Sequence, residues 1–229
     1  MGVHVYCVVP AGFGPPDGTR GIEGEAVGFG DAGMVGCWMS RHDSRPAPTA
    51  ESIRVHNDVV KAGMTDDVTP VPLRFGQWFA DADTAVAEVG SDAERWRSLL
   101  AGFAGFVEYG IRVRYAMAAP AVSAVRVVRP GPLTSGTAYM AALAKREADA
   151  ADRRRDAERA AAWIAGRTSA IVRDSRWEAG RGVDVVAVAH LVARADTGAY
   201  RSAVESLRAE RPEVSVMLTG PWPPWSFVA

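Results

Sequence analysis

Val3, Val5, Cys7 and Val9 alternate with His4, Tyr6 and Val8, a period of two that predicts a largely buried strand at the start of the chain. Residues 11–20 are rich in Gly and Pro and predict a loop. Residues 25–30 and 34–39 predict two strands around the turn Gly30-Asp31-Ala32-Gly33, a hairpin signal. Thr49 can cap a helix running to about Met64, with Ile53, His56, Val59 and Val60 on one face. A short strand is expected over 71–75. Asp81 and Asp83 open the next helix, where negative charge suits the helix dipole. Trp96, Leu99, Leu100 and Phe103 follow at i, i+3, i+4 and i+7, an amphipathic stripe that Gly105 ends. Val107, Tyr109, Ile111, Val113 and Tyr115 then alternate with Glu108, Gly110, Arg112 and Arg114, which predicts a strand with one buried and one wet face. Helices mixed with antiparallel strands predict an α+β sandwich, with helices on one face of a sheet.

Residues 116–133 hold several prolines and no helical period, and read as a linker. Ser135 starts a long helix expected over 136–165, whose centre (149–159) is charged nearly all round. Asp149–Arg153 and Arg154–Glu158 form i, i+4 pairs, each worth roughly 0.2–0.5 kcal/mol. Without a broad apolar stripe this helix either projects into solvent, lies over a small alanine seam or meets a partner. Residues 183–192 predict a strong apolar strand. Asp196 or Thr197 caps a helix with Tyr200, Val204 and Leu207 on one face, and 214–218 is the last strand. The expected organisation is an N-terminal α+β domain over 1–117, a linker over 118–134, and a C-terminal α+β domain over 135–229 carrying the long charged helix and an aromatic tail.

Composition adds mainly exclusions. The chain has 229 residues and a formal net charge of −1, so no general attraction to nucleic acid or to an anionic membrane is expected. No apolar run approaches the roughly 20 residues that span a bilayer. The first residues enter a strand pattern without a basic segment ahead of an apolar one, so a cytoplasmic protein is expected. Cys7 and Cys37 have no metal-site spacing and read as core thiols on strands.

Candidate chemistry is mostly declined. Gly28-Phe29-Gly30-Asp31-Ala32-Gly33 matches G-x-G-x-x-G, but a dinucleotide loop must open a helix, and residues 34–39 read as strand. Asp81 and Asp83 lack further ligands nearby and suit a helix N-terminus better than a cation. His4, His42, His56 and His190 are scattered, with no zinc-like spacing. No G-x-S-x-G or P-loop pattern occurs, although sequence distance does not exclude a triad assembled in space. Arg153-Arg154-Arg155 is neutralised by Asp152, Asp156 and Glu158 and carries no interleaved aromatic to stack bases. No catalytic, cofactor-binding or metal-binding residue is therefore assigned. Arg74, between Leu73 and Phe75, either points outward or is buried with a carboxylate such as Glu108 or Glu51.

The end of the chain, Gly220-Pro221-Trp222-Pro223-Pro224-Trp225-Ser226-Phe227-Val228-Ala229, is stiffened by prolines and rich in aromatics. Most termini are polar and frayed unless tied down. Trp222 is read as covering its own domain. Trp225 and Phe227 stand open between that role and docking a partner, since Trp is enriched at binding hot spots.

This tail resembles the C-terminal signature of the gas vesicle proteins GvpF/GvpL. Three further blocks agree in order. Residues 5–11 resemble the family's opening strand, 70–76 (Pro-Val-Pro-Leu-Arg-Phe-Gly) its P-x-R-F-G block, and 105–113 its G-x-V-E-x-G-x-K-V strand. Trp225 stands where the family has Tyr, and His190 where it has the aromatic of A-Y-L-V. The resemblance implies a non-enzymatic accessory protein that takes part in gas vesicle formation and has a ferredoxin-like N-terminal domain. Its implied partners are the hydrophobic shell protein GvpA and other gas vesicle accessory proteins, with no nucleic acid, membrane or cofactor. It also implies a place in the cytoplasm in association with the vesicle shell. On the residues themselves, Arg74, Trp225 and Phe227 are the candidate partner contacts. The residues alone leave two alternatives: an enzyme with a site in the cleft between domains around Arg74, Glu108 and His56, or a minor structural component of the shell.

Overall fold

The opening alternation becomes β1 (Gly2–Pro10), which is buried from Gly2 to Val9. The computed structural model describes residues 1–115 and 136–228. β1 is central in its sheet. It pairs antiparallel with β3 (Val35–His42) on one side, and on the other with the short strands β4 (Val71–Pro72) and β5 (Trp78–Phe79). β2 (Val27–Asp31) pairs antiparallel with β3 as the expected hairpin, giving the order β2-β3-β1-β4. This is the ferredoxin-like arrangement with its first crossover helix replaced by residues 11–26, a loop that includes a 3-10 turn at Ile22–Gly24. The strand expected over 71–75 is instead two residues of β4, followed after a turn by β5.

The register shifts between Val5 and Cys7, so Tyr6 is an extra residue in β1. A bulge of this kind puts successive side chains on one face. Tyr6, Cys7 and Val9 therefore join Trp38 in one core with Val59 and Val60, rather than alternating through the sheet. Those two valines come from α1 (Ala50–Ala62), capped by Thr49, whose Oγ1 accepts from the Ser52 N–H at 3.1 Å. The helix buries His56, Val59 and Val60, while Ile53, expected on this face, is exposed. α2 (Ala82–Ser91) covers the other face, where Val86 approaches Gly30, Cys37 and Met39. Helices thus lie on both faces, not one, which is why β1 and β3 are buried almost throughout. Asp81 caps α2 by accepting from the Thr84 N–H at 2.7 Å. α3 (Ala93–Phe103) follows and buries Ala93, Leu100 and Phe103.

The remaining elements are β6 (Phe106–Tyr115), α4 (Gly136–Thr168), β7 (Val172–Ala179), β8 (Val186–Ala193), α5 (Thr197–Glu210) and β9 (Val214–Trp222). They trace a βαββαβ path with sheet order β7-β8-β6-β9. α5 buries Tyr200, Val204 and Leu207, as its spacing requires. α4 is two halves in packing: Ala157, Ala160, Ile164 and Thr168 are buried, while Tyr139, Met140 and Leu143 are exposed. Its charges pair as Lys145–Asp149 and Arg154–Glu158, each at 3.1 Å. Asp149 therefore meets Lys145 rather than Arg153.

By internal contacts the chain divides into two compact units. The first is Met1–Tyr109 with Leu191–Thr197 and Gly220–Ala229, and the second is Gly110–His190 with Gly198–Thr219. The linear division expected from sequence kept 191–197 and 220–229 with the C-terminal domain. The expected linker, 118–134, lies outside the described residues.

Candidate functional site

The aromatic tail docks within the first unit. Gly220 adopts φ +113, and a Cβ there would stand 2.7 Å from the Glu108 carbonyl oxygen, so the chain can turn this closely only with glycine. Beyond the turn, Glu108 takes hold of Ser226: its carboxylate accepts from the Ser226 N–H and from the Ser226 hydroxyl, both at 2.8 Å. Charge-assisted bonds of this kind are stronger than neutral ones. Glu108 was expected on the wet face of β6, yet it is only 8% exposed. Phe227 is 6% exposed, while Trp225 is half-buried and packs against the core of Tyr6, Trp38, Val59 and Val60. Trp222, expected to be covered, is 37% exposed, with the Lys61 ammonium 4.9 Å from its ring centre.

Under Trp225 lies a buried polar cluster. The His56 ring is 5.7 Å from Trp225, and its Nε2 is 2.9 Å from the Leu73 carbonyl oxygen. A carbonyl only accepts, so His56 Nε2 carries the hydrogen and Nδ1 accepts from His4 Nε2 at 2.9 Å. Among the described residues the His4 Nδ1 lone pair is buried and has no partner. A second chain runs beside the first. The Ile22 N–H donates to Tyr6 Oη at 3.0 Å, and Tyr6 Oη lies 2.6 Å from Ser40 Oγ. Ser40 Oγ in turn lies 2.8 Å from His42 Nε2, and His42 Nδ1 lies 3.1 Å from a Glu23 carboxylate oxygen.

Ser40, His42 and Glu23 thus have the connectivity of a nucleophile, base and orienting acid. Ser40 is 1% exposed, and its oxygen is already engaged by Tyr6. Burial, with the neighbouring His56 adding to it, lowers the His4 imidazole to about 3. Burial likewise brings His56 to about 4, against the opposing pull of the Leu73 carbonyl. Burial pushes the Cys37 thiol up to about 11 and Cys7 well above the usual range. Near neutral pH the thiols are protonated and the imidazoles of His4 and His56 are neutral and joined to one another, which suits a packed core rather than a reacting group.

The other sequence candidates fall elsewhere. Arg74 is exposed. The His56 ring meets the Leu73 carbonyl and His4, and the Glu108 carboxylate accepts from Ser226. His190, in the second unit, is buried, and its Nδ1 lies 2.8 Å from Tyr200 Oη. Burial lowers it to about 4. The imidazole fills the expected aromatic's place as an edge-on partner to the Tyr200 ring.

The family model described as gas vesicle synthesis protein GvpL/GvpF matches residues 2–229. The chain belongs to the GvpL/GvpF family. It is 29% identical to gas vesicle protein L2 of Halobacterium salinarum, over 99% of this chain and 91% of that protein. It is 30% identical to gas vesicle protein L of a Streptomyces species, over 98% and 91% respectively. The fold matches the crystal structure of GvpF from Anabaena (TM-score 0.76, 14% identity, 100% of this chain and 96% of that one). It also matches GvpF from Microcystis aeruginosa (TM-score 0.72, 16% identity, 100% and 99%). Among the blocks that carried the resemblance, Pro72 pairs with Cys7 in the first sheet, and Glu108 and Ser226 are joined by hydrogen bonds. Family blocks far apart in sequence thus meet in the first unit. Among the described residues no helix is long and apolar enough to cross a membrane.

Proposed function

We propose that this gas vesicle protein acts during assembly by binding the hydrophobic shell protein GvpA, together with other accessory gas vesicle proteins, and keeping shell subunits from premature association. The observation that carries this reading is the family match over residues 2–229. Physical chemistry supplies the reason. A shell that keeps water out of a gas space needs very apolar subunits, and exposed apolar patches and open strand edges associate readily. A binder for them needs apolar surface of its own. Tyr139, Met140 and Leu143 on α4, Trp177 on the edge strand β7, and Trp222 beside Lys61 are exposed apolar side chains of that kind.

Arg74 and Trp225 are proposed contacts, with Arg74 exposed and Trp225 half-buried. Phe227 is proposed to act by seating the tail, since its own ring is buried. The work takes place in the cytoplasm at the growing vesicle. Co-expression with GvpA, one partner tagged, followed by capture at moderate salt, tests the reading. Shell protein should co-purify with the intact chain. Failure to co-purify while both proteins are soluble would count against direct binding.

A further inference from the structure

β2 is the outermost strand of the first sheet, and its backbone direction is fixed at two points. The Val27 N–H donates away from β3, to the Thr19 carbonyl at 3.2 Å, whereas the Ala32 N–H donates toward β3, to the Val35 carbonyl at 3.0 Å. Backbone groups alternate in direction along a strand. Gly28 and Gly30 therefore bond to β3, and Phe29 and Asp31 turn their N–H and C=O groups outward. The preceding loop covers only the start of this edge, through the Arg20–Ala26 bridge and the bond from the Gly21 N–H to the Glu25 carbonyl. From Gly28 to Asp31, no strand among the described residues pairs with it. Natural sheets blunt such edges with Lys, Pro or bulges. Residues 27–30 carry none of these, and the β2–β3 register is unbroken.

Beside this edge, between β2 and α2, runs a groove of about 600 Å³. Gly28 and Val86 give it a smooth apolar wall, and Glu25, Asp31, Asp83 and Arg41 set its charge, which is net acidic. The two glycines of the G-x-G-x-x-G stretch keep it open. A side chain at Gly30 would run into Met39 and Val86, whereas one at Gly28 would project into the groove, with only the Met39 carbonyl oxygen within 4.0 Å.

We propose that this groove receives an extended segment of a partner protein, which adds to β2 as a further strand and alternates apolar side chains with Lys or Arg. The main chain of Phe29 and Asp31 supplies the pairing, and the acidic rim selects basic residues. The identity of the partner as a gas vesicle protein rests on the assembly role proposed above; the groove itself does not.

Amide hydrogen exchange of the full chain tests both. The probes are an acetylated hexapeptide alternating valine and lysine, its valine–glutamate counterpart, and GvpA. The valine–lysine peptide should slow exchange at Phe29 by about tenfold or more, and the glutamate peptide should not. Gly28→Leu should abolish the protection while leaving the urea midpoint unchanged. No protection by the valine–lysine peptide, or equal protection by both peptides, overturns the groove. If GvpA binds and leaves Phe29 unprotected, the groove is not its site and the assembly reading survives. If the lysine peptide protects Phe29 and GvpA does not bind at all, the groove stands and that partner falls.

Discussion

The carboxylate of Glu108 on β6 accepts both the backbone N–H and the hydroxyl of Ser226, at 2.8 Å each, and so ties the end of the chain to a strand 118 residues earlier. Together with the buried Phe227 ring and the packing of Trp225 on the core, these bonds make the end of the chain part of the first unit's fold. Glu108→Ala should cost about 2–3 kcal/mol, because it removes two charge-assisted bonds to a part-buried residue. Ser226→Ala, which keeps the backbone bond, should cost only about 1 kcal/mol. Urea titration of the two variants checks the order, and equal costs would contradict it.

Gly220→Ala puts a Cβ 2.7 Å from a carbonyl oxygen at φ +113, where side chains are strained whatever the space. The expected loss is about 1–3 kcal/mol. Trp225 fluorescence should shift to the red as the tail lifts, and a variant with unchanged emission and stability would show that the turn tolerates a side chain.

The imidazoles of His4, His56 and His190 sit at about 3, 4 and 4, below the ordinary value of 6.5. Because the folded state resists protonation, the unfolded chain takes up protons first as pH falls. Their contribution to stability is therefore complete above about pH 6.5 and is lost progressively toward pH 4 and below. The urea midpoint should decline over that window, and the decline should be shallower in a His4→Gln, His56→Gln double variant. Parallel slopes in the two proteins would refute the assignment to these rings.

The two halves of α4 should respond differently to truncation. Ile164→Ala opens a cavity at a fully buried position and should cost about 2–5 kcal/mol. Leu143→Ala, at a position 37% exposed, should stay within about 0.5 kcal/mol. Thermal unfolding of both variants decides it.

Much of this architecture is legible before folding. The period-two run of β6, the Thr49 cap and the Tyr200, Val204, Leu207 stripe of α5 all encode their environment locally. β7 is not legible, because Val-Arg-Asp-Ser-Arg-Trp-Glu-Ala is an exposed edge strand with no apolar face to mark it. The bulge at Tyr6 is likewise silent, since nothing in an apolar run says where its register slips. The polar cluster joins His4 to His56 across 52 positions and Glu23 to His42 across 19. The sheet, α1 and the 3-10 turn at Ile22–Gly24 bring these residues together, so their scatter in sequence conceals a compact arrangement. The tail's aromatics announce that it must be buried somewhere. Which ring is buried depends on the turn at Gly220 and on Glu108, and so Phe227 is inside while Trp222 is outside.

The most direct test of the assembly role is to dilute unfolded GvpA from denaturant with and without stoichiometric amounts of this chain and measure the shell protein left in the supernatant. An assembly factor should keep it soluble in a complex that elutes as one species. The version ending at Thr219 should hold less of it if the tail contributes a contact and that version remains folded. GvpA that precipitates to the same extent with and without the intact, folded chain would contradict the role proposed here.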